Sequence, residues 1–299
     1  MRARLRPAHR GGDAGRDPVQ RRRAGGLLRA QREVGLREAG ESAATVPAAP
    51  PLRLRAVGHR YGAGVVALRD IDLDVEAGTF TLILGANGAG KTTLANVMGG
   101  MLKPSSGSVE AFGAPVRYTE NRALNHLGIV LVPERRRLFY RLTVRENVML
   151  GAYSIKESRK QLDERMRAVL QPFPSSIRDR LDVVAGSLSG GEQQLLAVAR
   201  ALIAKPRLVI LDEPSLGLAP RAIEAVYDLL AGAREQGATL VVIEQSGAVA
   251  LQYVSHIAIL ERGREIYRGT VGSISQEQIL AIGYVGHVES VETTSGEAS

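Results

Sequence analysis

Residues 85–92 read Gly85-Ala86-Asn87-Gly88-Ala89-Gly90-Lys91-Thr92 and fit the pattern G-x-x-x-x-G-K-[ST]. An apolar run at 79–84 precedes them, and Leu94-Ala95-Asn96-Val97-Met98 follows as a helix-like segment. A strand, a glycine-rich loop and a helix in this order are typical of a phosphate-binding loop. A glycine-rich turn with an exposed lysine is the alternative interpretation, and the sequence on both sides favours the phosphate-binding loop.

The residue types in this loop explain how it would hold phosphate. Glycines let the backbone turn tightly and aim its N–H groups at anionic oxygens. The N-terminus of the following helix adds a partial positive charge. Lys91 can reach the β- and γ-phosphates of a nucleotide, and the Thr92 hydroxyl can ligate Mg²⁺. We therefore expect residues 85–92, together with Thr93, to bind nucleotide phosphates.

The composition suits a globular α/β chain. The 299 residues are 44% hydrophobic and 4% aromatic, and they include no Cys. The lack of Cys excludes a disulfide framework and a thiolate metal site. No apolar run approaches the roughly 18 residues of a membrane span, and the first 30 residues lack the apolar core of a secretory signal. A cytosolic location is expected.

Short apolar runs alternate with longer helix-like stretches along the chain. Buried strands that are separated by helices predict a largely parallel sheet covered on both faces. Residues 52–55 alternate Leu and Arg as an edge strand would. The other runs predicted as strands are 79–84, 129–132, 208–211 and 239–243, and the stretches predicted as helices are 191–204 and 221–236.

The two ends of the chain differ from its middle. Residues 1–50 hold 11 Arg, no Lys and 5 acidic residues, and so carry +6 of the net charge of +8. Arg21-Arg22-Arg23 would suit a contact with nucleic acid or anionic lipid, whereas a disordered, solvated extension is the simpler interpretation. A start codon assigned too early, with translation from near Val46, is a third. Residues 286–299 are also expected to be disordered.

A second candidate site follows the apolar run 208–211, which ends in Asp212 and Glu213. The carboxyl end of a buried strand lies at the ligand-binding edge of an open α/β sheet. Asp212 is placed to hold Mg²⁺, directly or through water. Glu213 is placed to orient or deprotonate an attacking water. An N-cap pair before the next helix is the alternative, which the phosphate-binding loop upstream makes the weaker one.

Between these motifs lies Leu188-Ser189-Gly190-Gly191-Glu192-Gln193-Gln194. Locally it predicts a helix start, with Ser189 as N-cap and Glu192 completing a capping box. With the two motifs above, it resembles the signature motif of ABC-family ATPases, over about residues 52–285. This resemblance implies a P-loop NTPase fold of the α/β class in a domain at 51–285. Such a domain has a RecA-like α/β core, an antiparallel β subdomain and a helical signature subdomain at about 135–190.

The resemblance also implies how the site is assembled. Two subunits pack head to tail and hold ATP and Mg²⁺ between the phosphate-binding loop of one and Ser189-Gly190-Gly191 of the other. Tyr61 matches the aromatic residue that stacks on adenine, although a surface strand residue is the alternative. Ser215-Leu216-Gly217-Leu218 matches the loop that crosses the dimer interface, with Leu218 where many relatives have Asp.

Two further positions depart from the common family pattern. Glu134 stands where most relatives have Gln, and it could still reach Mg²⁺ through water. Gln245 stands where most have the switch His; its amide can hydrogen-bond a γ-phosphate but cannot take up a proton or a positive charge near neutral pH. With Arg135-Arg136-Arg137 and Asp212-Glu213-Pro214-Ser215, these residues resemble the LivF-type ATPases of branched-chain amino-acid importers. Importers of urea, amides or aromatic acids share much of this pattern.

As function, the resemblance implies an ATP-hydrolysing subunit that drives amino-acid uptake from the cytoplasmic face of the membrane. Its implied partners are a LivG-type ATPase or a second copy of this chain, two membrane permeases contacted near residues 141–153, and indirectly an extracytoplasmic solute-binding protein. Two other classes stay open. One is a soluble ABC ATPase acting on nucleic acid or the ribosome, favoured only by the Arg-rich start. The other is a non-hydrolysing regulatory subunit, favoured by Leu218 and Gln245.

Overall fold

The computed structural model of the protein describes residues 49–62, 64–118, 124–273 and 275. Disorder was expected for residues 1–50 and 286–299, and of these only residues 49 and 50 lie within the described part. None of the helices that the structure describes is both long enough and apolar enough to span a bilayer.

The described strands form two sheets, and six α-helices accompany them. The strands are β1 Leu52–Tyr61, β2 Val65–Val75, β3 Phe80–Leu84, β4 Ser106–Ala111, β5 Ala114–Pro115, β6 Ile129–Val132, β7 Leu208–Asp212, β8 Thr239–Glu244, β9 His256–Glu261 and β10 Arg264–Thr270. The helices are α1 Lys91–Met98, α2 Val144–Leu150, α3 Arg159–Leu170, α4 Ser175–Arg178, α5 Gly190–Leu202 and α6 Pro220–Glu235.

The larger sheet has the strand order β10-β9-β3-β8-β7-β6. All its neighbouring strands pair in parallel except β10 and β9 at one edge. Every residue of β3, β7 and β8 is buried, because the sheet is covered on both faces. The largely parallel α/β fold predicted from the sequence is confirmed, and the predicted strands and helices match β3, β6, β7, β8, α5 and α6 within about two residues.

The smaller sheet is antiparallel, with the order β2-β1-β4-β5. Strand β1 pairs on both sides, with Leu54 opposite Leu73 of β2 and Val109 of β4. The prediction of an edge strand at 52–55 was therefore wrong. The alternation of Leu and Arg indicates that one face of the strand is buried, and Leu52 and Leu54 are indeed fully buried. It carries no information about how many neighbours the strand has.

Alternate residues of the parallel strands belong to two apolar clusters, one on each face of the sheet. Leu82 and Val242 pack with residues of α2 to α6, whereas Ile83 and Ile243 pack with α1 and the antiparallel sheet. This three-layer arrangement places the carboxyl ends of β3, β7 and β8 side by side. Helices α2, α3 and α4 lie within residues 135–190, the range that we assigned to a helical subdomain.

Candidate nucleotide-binding site

Residues 85–90 form the loop that joins β3 to α1, as the sequence predicted. Gly88 and Gly90 have left-handed backbones, with φ of +81° and +102°, and Gly90 is the N-cap of α1. A Cβ at Gly90 would lie 2.5 Å from the carbonyl oxygen of Ala67, and one at Gly85 would lie 2.5 Å from that of Leu260. Glycine is therefore required at the two ends of the loop, where other backbone segments approach it closely.

Lys91 is the first residue of α1, and its side chain is buried. Its Nζ donates a hydrogen bond to the carbonyl oxygen of Ala86 at 3.2 Å and lies 3.1 Å from Oε1 of Glu213. The structure thus joins the phosphate-binding loop to the acidic pair Asp212-Glu213 at the end of β7. The two motifs lie more than a hundred residues apart in the sequence, and parallel pairing of β3, β8 and β7 brings them to one edge.

Asp212 is the last residue of β7, and its Oδ1 is buried without a hydrogen-bond partner. Burial raises the pKa of Asp212 to about 6; a hydrogen bond from Thr92 opposes this, and the charges of Glu213 and Glu134 add to it. An unpartnered carboxylate oxygen beside a hydroxyl fits a hard cation such as Mg²⁺. Within the described ranges no cluster of three His, Cys, Asp or Glu side chains could hold a metal ion.

Glu134 follows β6 and begins an unusual stretch of backbone. The next three residues, Arg135, Arg136 and Arg137, have φ of +63°, +57° and +44°, in the left-handed region. Arg200 of α5 holds them there, because its guanidinium donates to the carbonyl oxygens of Arg136 and Arg137 at 2.8 Å each. Burial lowers the pKa of Arg200. No local sequence signal predicts this conformation, since it depends on a residue some sixty positions away.

Tyr61 lies at the end of β1 with 46% of its surface exposed. Its hydroxyl is 3.2 Å from Oγ1 of Thr93, the third residue of α1. The ring of His59 meets the Tyr61 ring edge-on, with a centroid distance of 4.6 Å. The structure therefore ties the predicted adenine-stacking residue to the helix that begins at the phosphate-binding loop.

Gln245 follows β8, and the structure brings it to Glu213. Both line a small surface cavity together with the segment 215–217, which leads from β7 towards α6. The lining residues are Glu213, Ser215, Leu216, Gly217, Glu244, Gln245 and Ser246.

Glu244, the last residue of β8, was not among the predicted site residues. It is 3% exposed, and its Oε1 accepts hydrogen bonds from the backbone N–H of Ser215 at 3.0 Å and from the hydroxyl of Tyr227 at 3.2 Å. Burial raises its pKa to about 7, bonds from Ser215 and Tyr227 oppose the shift, and the charge of Glu213 adds to it. The sequence offered one signal for Glu244, namely a carboxylate at the end of an apolar run. Asp212 was selected as a site residue on the same signal.

Ser189 is the N-cap of α5, and the predicted capping box is present. Its Oγ accepts from the N–H of Glu192 at 3.3 Å, and its own N–H donates to Oε2 of Glu192 at 2.8 Å. Gly191 packs closely against α6, where a Cβ would lie 2.8 Å from that of Ala222. Among the residues described, no hydrogen bond or ion pair joins Ser189-Gly190-Gly191 to the loop 85–92.

The fold and the site together place the chain among the P-loop nucleoside triphosphatases. A family model described as ABC transporter matches residues 68–216. The chain is 36% identical over 226 residues to the high-affinity branched-chain amino acid transport ATP-binding protein BraG of Pseudomonas aeruginosa, covering 76% of this chain and 96% of that protein. It is 32% identical over 212 residues to a probable branched-chain amino acid transport ATP-binding protein LivF of Archaeoglobus fulgidus, covering 71% and 89%.

Solved structures agree with these relatives. A nucleotide-free ATP-binding cassette from an ABC transporter superposes with a TM-score of 0.68 at 27% identity, over 79% of this chain and 99% of that one. A dimeric post-hydrolysis state of an ATP-binding cassette bound to ADP and Pi superposes with a TM-score of 0.65 at 26% identity, over 74% and 98%. The chain belongs to the family of ABC transporter ATP-binding subunits, which are nucleotide-binding ATPases.

Proposed function

We propose that the chain hydrolyses ATP with Mg²⁺ to drive an importer of branched-chain or related amino acids. The observation that carries this proposal is the contact between Lys91 and Glu213 beside the unpartnered Oδ1 of Asp212. In this proposal Lys91 is the phosphate-binding cation, Glu213 the base and Oδ1 of Asp212 the metal-binding oxygen, and their proximity supports a common site. The names of the relatives support the class of solute.

Each predicted residue has a role in this proposal. The loop N–H groups, Lys91 and Thr93 bind the phosphates of ATP, and Tyr61 stacks on its adenine. Thr92 and Asp212 would hold Mg²⁺, and Glu134 would reach it through water; when bound, the ion would neutralise charge that develops on the phosphates. Glu213 accepts the proton of the attacking water, and the Gln245 amide orients the γ-phosphate or that water. Hydrolysis then depends on positioning and electrostatic stabilisation.

The active unit in this proposal is a head-to-tail dimer. Ser189 and Gly190 are exposed at the N-terminus of α5, where free N–H groups favour an anion. They bind the γ-phosphate held by a partner subunit, either a LivG-type ATPase or a second copy of this chain. ATP binding closes the dimer and shifts the partner permeases towards their outward-facing state. A ligand shifts a conformational equilibrium towards the state for which it has the higher affinity.

The proposed contact with the permeases is an exposed apolar surface around α2. Val184 lies beside Thr143 at the start of α2 through an isolated strand bridge, and Tyr153, just after the helix, is 92% exposed. Exposed apolar patches of this kind mark protein contacts. The contact would hold the chain at the cytoplasmic face of the membrane. The surface consists of Phe139, Tyr140, Leu150, Tyr153 and Val184.

The test of this function compares wild type with Glu213→Gln in Mg²⁺-dependent ATP hydrolysis. Loss of a general base lowers kcat by about 10²- to 10⁴-fold, while the variant still binds ATP. Wild type that binds ATP without turnover is then assayed with a second ATPase subunit and permeases. Continued absence of turnover in that assembly would indicate a regulatory subunit instead. Uptake of leucine into vesicles carrying the assembly, against urea as comparison, tests the solute.

A further inference from the structure

Glu244 contacts three parts of the candidate site at once. Its carbonyl oxygen accepts a hydrogen bond from the N–H of Gly85 at 3.3 Å, at the start of the phosphate-binding loop. Its carboxyl group accepts from Ser215 and from Tyr227 of α6. One residue of β8 therefore joins the phosphate-binding loop, the segment 215–218 and α6.

Burial of the Glu244 carboxyl group costs free energy. The group is buried, and no Lys, Arg or His of the described residues forms an ion pair with it. An apolar side chain of similar size would fill this place without the cost of burying a carboxylate. The carboxyl group offsets this cost because its oxygen accepts a hydrogen bond from the N–H of Ser215. Without Glu244 that N–H would have no acceptor.

This hydrogen bond acts on a segment next to the proposed catalytic residues. Ser215 begins Ser215-Leu216-Gly217-Leu218, and Gln245 directly follows Glu244 in the chain. Residues 215–217 and Gln245 line the cavity that Glu213 also lines. Glu213 is itself held to β8, because its N–H donates to the carbonyl oxygen of Ile243 at 2.8 Å. The end of β8 is thus the common support of the proposed base, the segment 215–218 and Gln245.

We propose that Glu244 is a positioning residue for ATP hydrolysis: its carboxyl oxygen fixes the backbone of Ser215 and so sets the segment 215–218 and Gln245 against Glu213. Glu244 touches neither water nor phosphate in this role. The inference rests on the proposed function, in which Glu213 and Gln245 act on the γ-phosphate and the attacking water.

The test compares two substitutions of similar shape in the full-length chain. Glu244→Gln keeps an oxygen that can accept from Ser215, whereas Glu244→Met fills the same space without an acceptor. We expect Glu244→Met to lower kcat by about ten-fold or more at an unchanged KM for ATP, and Glu244→Gln to stay within about three-fold of wild type. A merely structural role would instead lower the folded fraction, and titration of ATP-binding sites corrects for that.

A second measurement does not depend on turnover. Hydrogen exchange of the Ser215 amide should be at least ten-fold faster in Glu244→Met than in wild type, and close to wild type in Glu244→Gln, with exchange in β3 and β7 unchanged. Equal kcat and equal Ser215 exchange in wild type and Glu244→Met would overturn the proposal. If no assembly containing wild type hydrolyses ATP, the proposed function fails, and the exchange of Ser215 still decides whether Glu244 holds this segment.

Discussion

Glu244 keeps a carboxyl group inside the protein, and its ordinary pKa of 4.5 is raised to about 7 by burial. The folded chain therefore holds this proton more tightly than the unfolded chain does. The resulting stabilisation is fully present below pH 4.5 and is lost as the pH rises towards 7 and beyond. For a shift of this size the loss is on the order of 3 kcal/mol.

Glu244→Gln removes this dependence, because an amide does not titrate in the range. Urea unfolding at several pH values should show wild type losing stability relative to Glu244→Gln between about pH 4.5 and 7.5, with little further change above. The difference between the two proteins isolates Glu244 from Asp212, whose raised pKa acts in the same direction in both. A pH-independent difference would show that the carboxyl group does not titrate in this range.

The sequence predicted which candidate residues would lie together better than it predicted their hydrogen-bond partners. The positions of Lys91, Thr92, Asp212 and Glu213 follow from strand ends, because parallel strands bring their carboxyl ends to one edge. The partners of Glu244 do not follow in this way. Ser215 lies in a turn and Tyr227 in a helix, and only tertiary packing brings them within hydrogen-bond distance of Glu244.

Helix α2 packs against α5 so closely that Gly151, the residue after α2, has no room for a side chain. A Cβ there would overlap the carbonyl oxygen of Arg200. Gly151→Ala should therefore destabilise the chain by about 1–3 kcal/mol. At Gly232, inside α6, an added Cβ would have no other atom within 4 Å. Gly232→Ala should therefore stabilise the folded chain by up to about 1 kcal/mol. Urea unfolding of both variants checks this, and equal effects would contradict it.

The turn before α2 depends on one fully buried amide. Asn147 accepts from the N–H of Phe139 at 3.0 Å and donates to the carbonyl oxygens of Phe139, Leu142 and Thr143 at 3.0, 3.3 and 3.0 Å. Asn147→Ala leaves these buried groups without partners and should cost about 2–4 kcal/mol. Leu150→Ala, on the exposed side of the same helix, should cost about 0.5 kcal/mol or less. Similar unfolding midpoints for the two variants would exclude this role of Asn147.

Sequence patterns predicted whether a segment forms a helix or a strand, but they did not predict which other segments pack against it. The apolar runs of β3, β7 and β8 and the capping boxes of α2, α3 and α5 are local, and their structures follow from local rules. The place of β1 in the middle of its sheet and the left-handed backbone at 135–137 depend on distant chain segments. Neither the alternation at 52–55 nor the three Arg residues carry that information.

The whole molecule is expected to work as a pair. With Mg²⁺ and ATP, a Glu213→Gln background should form dimers in analytical ultracentrifugation, with itself or with a second ATPase subunit. Adding Ser189→Arg should prevent this dimer and leave ATP binding by the same chain unchanged, because no hydrogen bond among the described residues links Ser189 to its own phosphate-binding loop.

Ser189→Arg also removes the N-cap of α5, which costs about 1 kcal/mol. Ser158→Arg is the matched control, because Ser158 forms the same capping box with Gln161 at the start of α3. The control should lose similar stability and still dimerise. Dimers of the Ser189→Arg protein, or loss of dimers in the control, would contradict a specific role of the signature motif in trans.

In the proposed function Lys91 has two competing anions, because Glu213, which it contacts, and the phosphates of ATP would require the same ammonium group. We therefore expect bound ATP to draw Lys91 away from Glu213 and to leave that carboxylate free to accept a proton, so that substrate binding itself would activate the proposed base. The competition has a cost that can be measured. Glu213→Gln removes the competing charge, and its ATP titration should show tighter binding than that of wild type. Weaker binding would mean that the ion pair does not oppose the nucleotide.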